Sequence, residues 1–262
     1  MRLYHIPPAR LAEQVIPNEE DGHLCVADVV LSHREYADYY RSRSDRGDWL
    51  TLDTAAFEGK ITPVRNLLEA AHMVRPKEIV LPDLFRDAVG TIETSVAAAK
   101  ELRDCGYEGR FMVVPHGLTW HDYLYCTEYL MAELGPETCI GVIEETDELY
   151  NITRPIAVEI LDDIFPEVQI HFNGVTEHLG ECFDSSIRAR VRSADTSKFV
   201  VWGLNGVNVD PIKILAAQIT VPPYPGRKSL GGRNGFFDRS QASDEALQIT
   251  RTNINRWRRF LK

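Results

Sequence analysis

The chain has 262 residues, 44% of them apolar and 26% charged, and a formal net charge of −10. This composition excludes wholesale disorder, and the length suits a single α/β barrel, which takes about 250 residues. No run of about 18 apolar residues occurs, and the first 17 residues lack the apolar stretch of a signal peptide; a soluble, cytoplasmic protein without a membrane partner is expected.

The first stretch with strand character is HLCVADVVL (23–31), followed by DWLTLD (48–53). EIVLPDLF (78–85), RFMVVPHG (110–117), CIGVIEE (139–145), VQIHFNGV (168–175) and RVRSADTS (190–197) continue the series. Each is short, rich in β-branched residues and bounded by Gly, Pro or acidic residues. Helices are expected between them, over 62–74, 91–106, 120–135 and 153–166. The second opens at Thr91 without a full capping box, because Thr94 stands where a glutamate or glutamine would close it, and it stops at Gly106. Near-continuous apolar strands alternating with helices imply a parallel sheet covered by helices. Units of about 30 residues favour a TIM-type (β/α)8 barrel over an open sheet. The barrel is expected over 1–220. A basic Gly/Pro-rich loop at 221–237 and a terminal helix from about Ser243, its N-cap, would make up 221–262 and pack on the barrel.

Charge is unevenly spread. Residues 1–184 sum to −19 and residues 185–262 to +9, the pattern of an acidic body with a basic C-terminal face. That face either meets a polynucleotide or packs on the acidic body. Cys25, Cys105, Cys126, Cys139 and Cys182 show no C-x-x-C pairing and are expected to be small buried hydrophobes. Neither G-x-G-x-x-G after the first strand nor a P-loop occurs, so the usual nucleotide-binding loops are not signalled.

In a β/α barrel the chemistry gathers at the C-terminal ends of the strands. That rule collects Asp53, Asp83, Arg86, Asp87, His116, Glu144, Glu145, Asn173, Asp195 and Thr196 on one rim. Singly, each has a plainer reading: Asp53 and Asp83 as helix caps, His116 as a turn residue, Asn173 beside Gly174 in a left-handed turn. Together they read as an active site. Carboxylates with a histidine also suit a divalent metal, but no H-x-H or H-E-x-x-H spacing supports one, and neither metal nor cofactor is expected. Asp195 stands out. It closes a strand, with Arg188, Arg190 and Arg192 before it and Lys198 after it, where a carboxylate can act as nucleophile or oriented base beside a phosphate-bearing substrate.

The order of these strand ends resembles the tRNA-guanine transglycosylase superfamily, in its compact phage and bacterial branch. That branch holds queuine tRNA-ribosyltransferase-like proteins and DNA 7-deazaguanine transglycosylases. The resemblance runs from about Cys25 to Asn208. LTLDTAAFE is similar to the family's Asp-Ser-Gly-Gly-Phe-Gln segment, with Ala55 and Ala56 for the glycines and Glu58 for the glutamine. IVLPDLF resembles the segment whose aspartate grips the departing guanine. VVPHG, HFNGV and VRSADTS stand where the family has a Val-Gln-Gly stretch, a Leu-Gly-Val stretch and the nucleophile strand.

The resemblance implies that Asp195 attacks C1′ of a guanosine or deoxyguanosine, that Asp53 is general acid and base, and that Asp83 bonds the guanine edge. His116 would replace the base-reading glutamine, and Gly141, Asn173 and Gly174 would line the base pocket. A carboxylate can trap an oxocarbenium-like carbon covalently while a second one manages the leaving-group proton, and the target base must leave its stack to reach a barrel mouth. The family's C-x-C-x-x-C…H zinc pattern has no counterpart here, so DNA is expected as substrate before tRNA, with a free 7-deazaguanine base such as preQ0 as second substrate. Arg227, Lys228 and Arg233, with Arg188, Arg190, Arg192 and Lys198, would hold phosphates; Trp257 on the last helix is expected to pack in the core. The family often forms homodimers. The alternatives are the same exchange on tRNA, a catalytically silent barrel that binds nucleic acid, or a metal-dependent hydrolase or lyase.

Overall fold

A computed structural model describes residues 1–18, 22–54, 62–175, 180–181, 184–216 and 232–261. Eight short strands alternate with helices: β1 (Arg2–His5), β2 (Gly22–Val26), β3 (Trp49–Asp53), β4 (Glu78–Val80), β5 (Arg110–Val113), β6 (Cys139–Ile143), β7 (Gln169–Asn173) and β8 (Val191–Thr196). All pairings are parallel, in the order β1-β8-β7-β6-β5-β4-β3-β2. β1 and β2, the ends of that order, lie side by side, so the sheet is a nearly closed TIM-type (β/α)8 barrel. Gly22 allows that approach, since a Cβ there would stand 2.4 Å from the ring of Tyr4 on β1.

β1 was not expected from the sequence. RLYH is only four residues long and runs straight into Pro7 and Pro8. The expected strand at 23–31 stops at Val26, and Ala27–Ser32 is a helix that buries Ala27, Val29 and Val30. A continuous apolar run has no periodicity to mark such a change. The helix expected from Thr91 starts one turn earlier, at Ala88, because Asp87 caps it by accepting from Gly90 N at 2.9 Å. Arg34–Asp45 forms a further helix. Part of the expected basic loop, Gly232–Asp238, is helical. The terminal helix Asp244–Leu261 is capped by Ser243 and packs on the helix Lys198–Leu204 and on β1, with Trp257 fully buried against Phe199.

Two cores result. The larger lies between barrel and helices; Val80, Met112, Val114, Cys139 and Ile143 form a second. Glu78 on β4 and Arg192 on β8 are four strands apart in the sheet, so their contact crosses the lumen. Arg192 gets there through a bulge: Ile170 pairs with Val191 but His171 pairs with Ser193, leaving Arg192 as the extra residue. Cys25, Cys126 and Cys139 are buried as expected, whereas Cys105 is exposed just past the end of its helix; Cys182 lies outside the described residues. No helix among the described residues is long and apolar enough to cross a membrane.

Candidate active site

Asp195 sits one residue before the end of β8, where a barrel strand delivers its side chain to the C-terminal face. Its Oδ1 accepts from Gly174 N at 3.0 Å and faces His171 Nε2 at 3.1 Å. No described residue bonds Oδ2. Gly174 can aim its amide this way because it is left-handed, with φ of +69°, a conformation that L side chains rarely adopt. Its carbonyl is held in turn by Arg154 Nη1 at 2.8 Å. Arg154 is buried at the start of the helix Arg154–Ile164, donates from Nε to Glu181 at 2.7 Å, and lies over the Phe172 ring. Gly174 thus supplies a backbone donor to Asp195.

Asp83, just beyond β4, pairs through Oδ2 with His116 Nε2 at 2.8 Å, and His116 is buried just beyond β5. The cap expected of Asp83 is supplied by Asp87 instead, so Asp83 is left for this pair. His116 Nδ1 is buried and has no hydrogen-bond partner among the described residues, and neither has Asn173 Oδ1. Gly141 contributes by absence, since a Cβ there would lie 2.8 Å from Asn173 Oδ1. Phe85, 63% exposed, packs edge-to-face with the His116 ring, and Leu118, two residues after His116, is equally exposed. Asp53 closes β3, half-buried on the same face.

The remaining rim candidates divide. Glu145 begins the helix after β6, and burial together with neighbouring Glu144 raises its carboxyl pKa. Thr196 Oγ1 donates to Val175 O and ties the end of β8 to the loop after β7. Arg86 is exposed in a left-handed turn with φ of 63°.

The described members of the expected phosphate-binding set are not gathered around Asp195. Arg188 and Arg190 belong to the helix Ser185–Arg190 that leads into β8, so they lie at the opposite, N-terminal end of the barrel. Arg188 bonds Phe260 O, and Arg190 pairs with Glu159 and Asp162. Arg192 points into the lumen against Glu78, and Lys198 is buried with its Nζ over the Trp202 ring. Within the basic C-terminal helix, Arg251 bonds Gln14 O and Arg256 bonds Asn208, so two of its arginines tie it to the barrel. Arg227 and Lys228 lie outside the described residues, as do Ala55, Ala56, Glu58 and the side chain of Arg233.

Sequence reasoning missed His171, Ser193, Arg154 and Glu78. The signal for the first was present: Gln169, His171 and Asn173 alternate on a strand whose other residues are apolar, which marks a polar face turned into the barrel. Among the described residues no group of three or more His, Cys, Asp or Glu side chains is placed to hold a metal ion. No family model matches the chain, and no curated protein matches it.

Proposed function

We propose that the chain is a guanine base-exchange transglycosylase, replacing guanine in a polynucleotide, DNA before tRNA, with a free 7-deazaguanine such as preQ0. The observation that carries this reading is the state of Asp195. One carboxylate oxygen is anchored by a backbone amide and an imidazole, and the other has no bond from any described residue, at the C-terminal end of a barrel strand. A carboxylate so held can attack an electrophilic carbon without reorganising.

In the proposed reaction Asp195 Oδ2 bonds to C1′ as the C1′–N9 bond breaks. The electron pair leaves on guanine N9, and Asp53 delivers the proton that makes guanine a neutral leaving base. Asp53, now a carboxylate, takes the N9 proton of the incoming 7-deazaguanine. Its N9 then bonds to C1′ and releases Asp195. Asp83, the unpartnered His116 Nδ1 and Asn173 Oδ1 would read the base edge, and exposed Phe85 would stack on a base drawn from its helix.

The test is release of labelled guanine from duplex DNA, and separately from tRNA, in the presence of 7-cyano-7-deazaguanine, beside an Asp195→Asn control. Release from DNA, lost in the control, supports the reading. Release from tRNA alone transfers the same chemistry to tRNA. Release from neither overturns it.

A further inference from the structure

A line of polar contacts runs through the lumen from the lower half of the barrel to Asp195. Glu78 is fully buried and grips Arg192 Nη1 and Nη2 at 2.8 and 2.7 Å. Arg192 Nε donates to Ser193 Oγ at 3.2 Å. Ser193 Oγ is 2.8 Å from His171 Nδ1, and His171 Nε2 is 3.1 Å from Asp195 Oδ1. His171 is wholly buried and its ring stacks on Tyr4, so it has little room to turn.

The donors and acceptors along this line constrain where the protons sit. An ionised carboxylate only accepts, so the proton between His171 and Asp195 belongs to Nε2. Arg192 only donates, so Ser193 Oγ accepts from it and can give its own proton to His171 Nδ1. With the serine proton in that bond the imidazole is neutral and Nδ1 is bare. The β7–β8 bulge makes this arrangement, because the extra residue puts Arg192 and Ser193 within reach of the same lumen contacts.

We propose that His171, locked by Ser193 and Arg192 in the tautomer that carries its proton on Nε2, is a positioning residue that dedicates Asp195 Oδ1 to anchoring and Oδ2 to reaction. The Asp195 part rests on the transglycosylase reading above; the tautomer part does not. With His171 and Gly174 on one oxygen, the carboxylate cannot rotate to exchange its two oxygens without losing both bonds.

Two measurements test this. The first needs no substrate: nitrogen NMR of histidine-labelled protein at neutral pH, with the His171 signal assigned by its loss in His171→Gln. We expect a neutral ring with the proton on Nε2 in the native chain, and a mixture of tautomers in Ser193→Ala. A proton on Nδ1, a doubly protonated ring, or no change in folded Ser193→Ala overturns the proposal. The second is base exchange with labelled duplex DNA or tRNA and 7-cyano-7-deazaguanine. His171→Phe should lower kcat by roughly ten- to a hundred-fold, as a small misplacement of a reacting group does, and leave KM within about twofold. His171→Gln, which keeps a donor, should recover part of the loss. A folded His171→Phe with native kcat refutes the positioning role. Activity that survives in Asp195→Asn refutes the transglycosylase reading instead and leaves the NMR result to decide the tautomer.

Discussion

Removing Arg192 should damage the barrel more than any surface substitution, and the lumen geometry says by how much. Glu78 has no solvent access, and its carboxylate takes two charge-assisted bonds from Arg192 and one from Thr51 Oγ1 at 3.0 Å. Arg192→Met keeps most of the volume but leaves a buried carboxylate with one neutral hydroxyl donor. Breaking a buried pair from one side costs about 3–5 kcal/mol, mostly as the penalty of the abandoned charge. Adding Glu78→Gln removes that charge, so the double variant should regain most of the loss and stand within about 1–2 kcal/mol of the native chain. Urea unfolding followed by circular dichroism gives all four corners of the cycle. If Arg192→Met unfolds within about 1 kcal/mol of the native protein, the pair is not the buried lumen contact described above. If the double variant is worse than the single one, the penalty does not come from an abandoned charge.

Other outcomes follow from single environments. Both ring nitrogens of His5 are buried without a hydrogen-bond partner among the described residues, and burial lowers its pKa to about 3. The unfolded chain therefore takes up a proton below about pH 6.5 that the folded chain refuses, and stability falls by about 1.4 kcal/mol per unit from there down towards pH 3. Between pH 7.5 and 5 this amounts to about 2 kcal/mol; His5→Leu should remove that share of the pH dependence in paired urea titrations, and equal slopes would contradict it. Cys105 is exposed, whereas burial pushes the Cys126 thiol up to about 11 and Cys25 well above its ordinary value. Iodoacetamide at neutral pH should modify Cys105 and spare Cys25, Cys126 and Cys139 in the folded protein, which peptide mass spectrometry reads directly. Phe85→Ala should leave folding intact, because the ring is mostly exposed. On the proposed function it should weaken polynucleotide binding by about 1–3 kcal/mol, the worth of one stacked base; unchanged binding would remove Phe85 from the interface.

Strand ends were the legible part of this sequence, and strand interiors were not. Asp53, Asp83, His116, Asn173 and Asp195 could be placed on one rim because apolar runs mark where barrel strands stop. The pairing of Asp83 with His116 needs β4 and β5 to be neighbours, which the alternation of strands and helices implies. What holds Asp195 depends on the bulge between β7 and β8, a one-residue register shift with no signature in RVRSADTS. That shift turns Arg192 from an expected phosphate contact into a lumen side chain. The charge imbalance leaves two readings open, a binding face or a segment packed on the body. Arg190, Arg251 and Arg256 find carboxylates, amides or carbonyls within the same chain, which accounts for part of the excess by packing. β1 escaped notice because four residues ahead of two prolines carry too little pattern to mark a strand.

The most direct measurement is guanine release from duplex DNA and from tRNA with 7-cyano-7-deazaguanine present, native chain against Asp195→Asn. We expect release by the native chain and none by a folded Asp195→Asn, since an amide cannot form the glycosyl ester. Equal release by both would contradict a nucleophilic Asp195, and no release by either would contradict the base-exchange reaction itself.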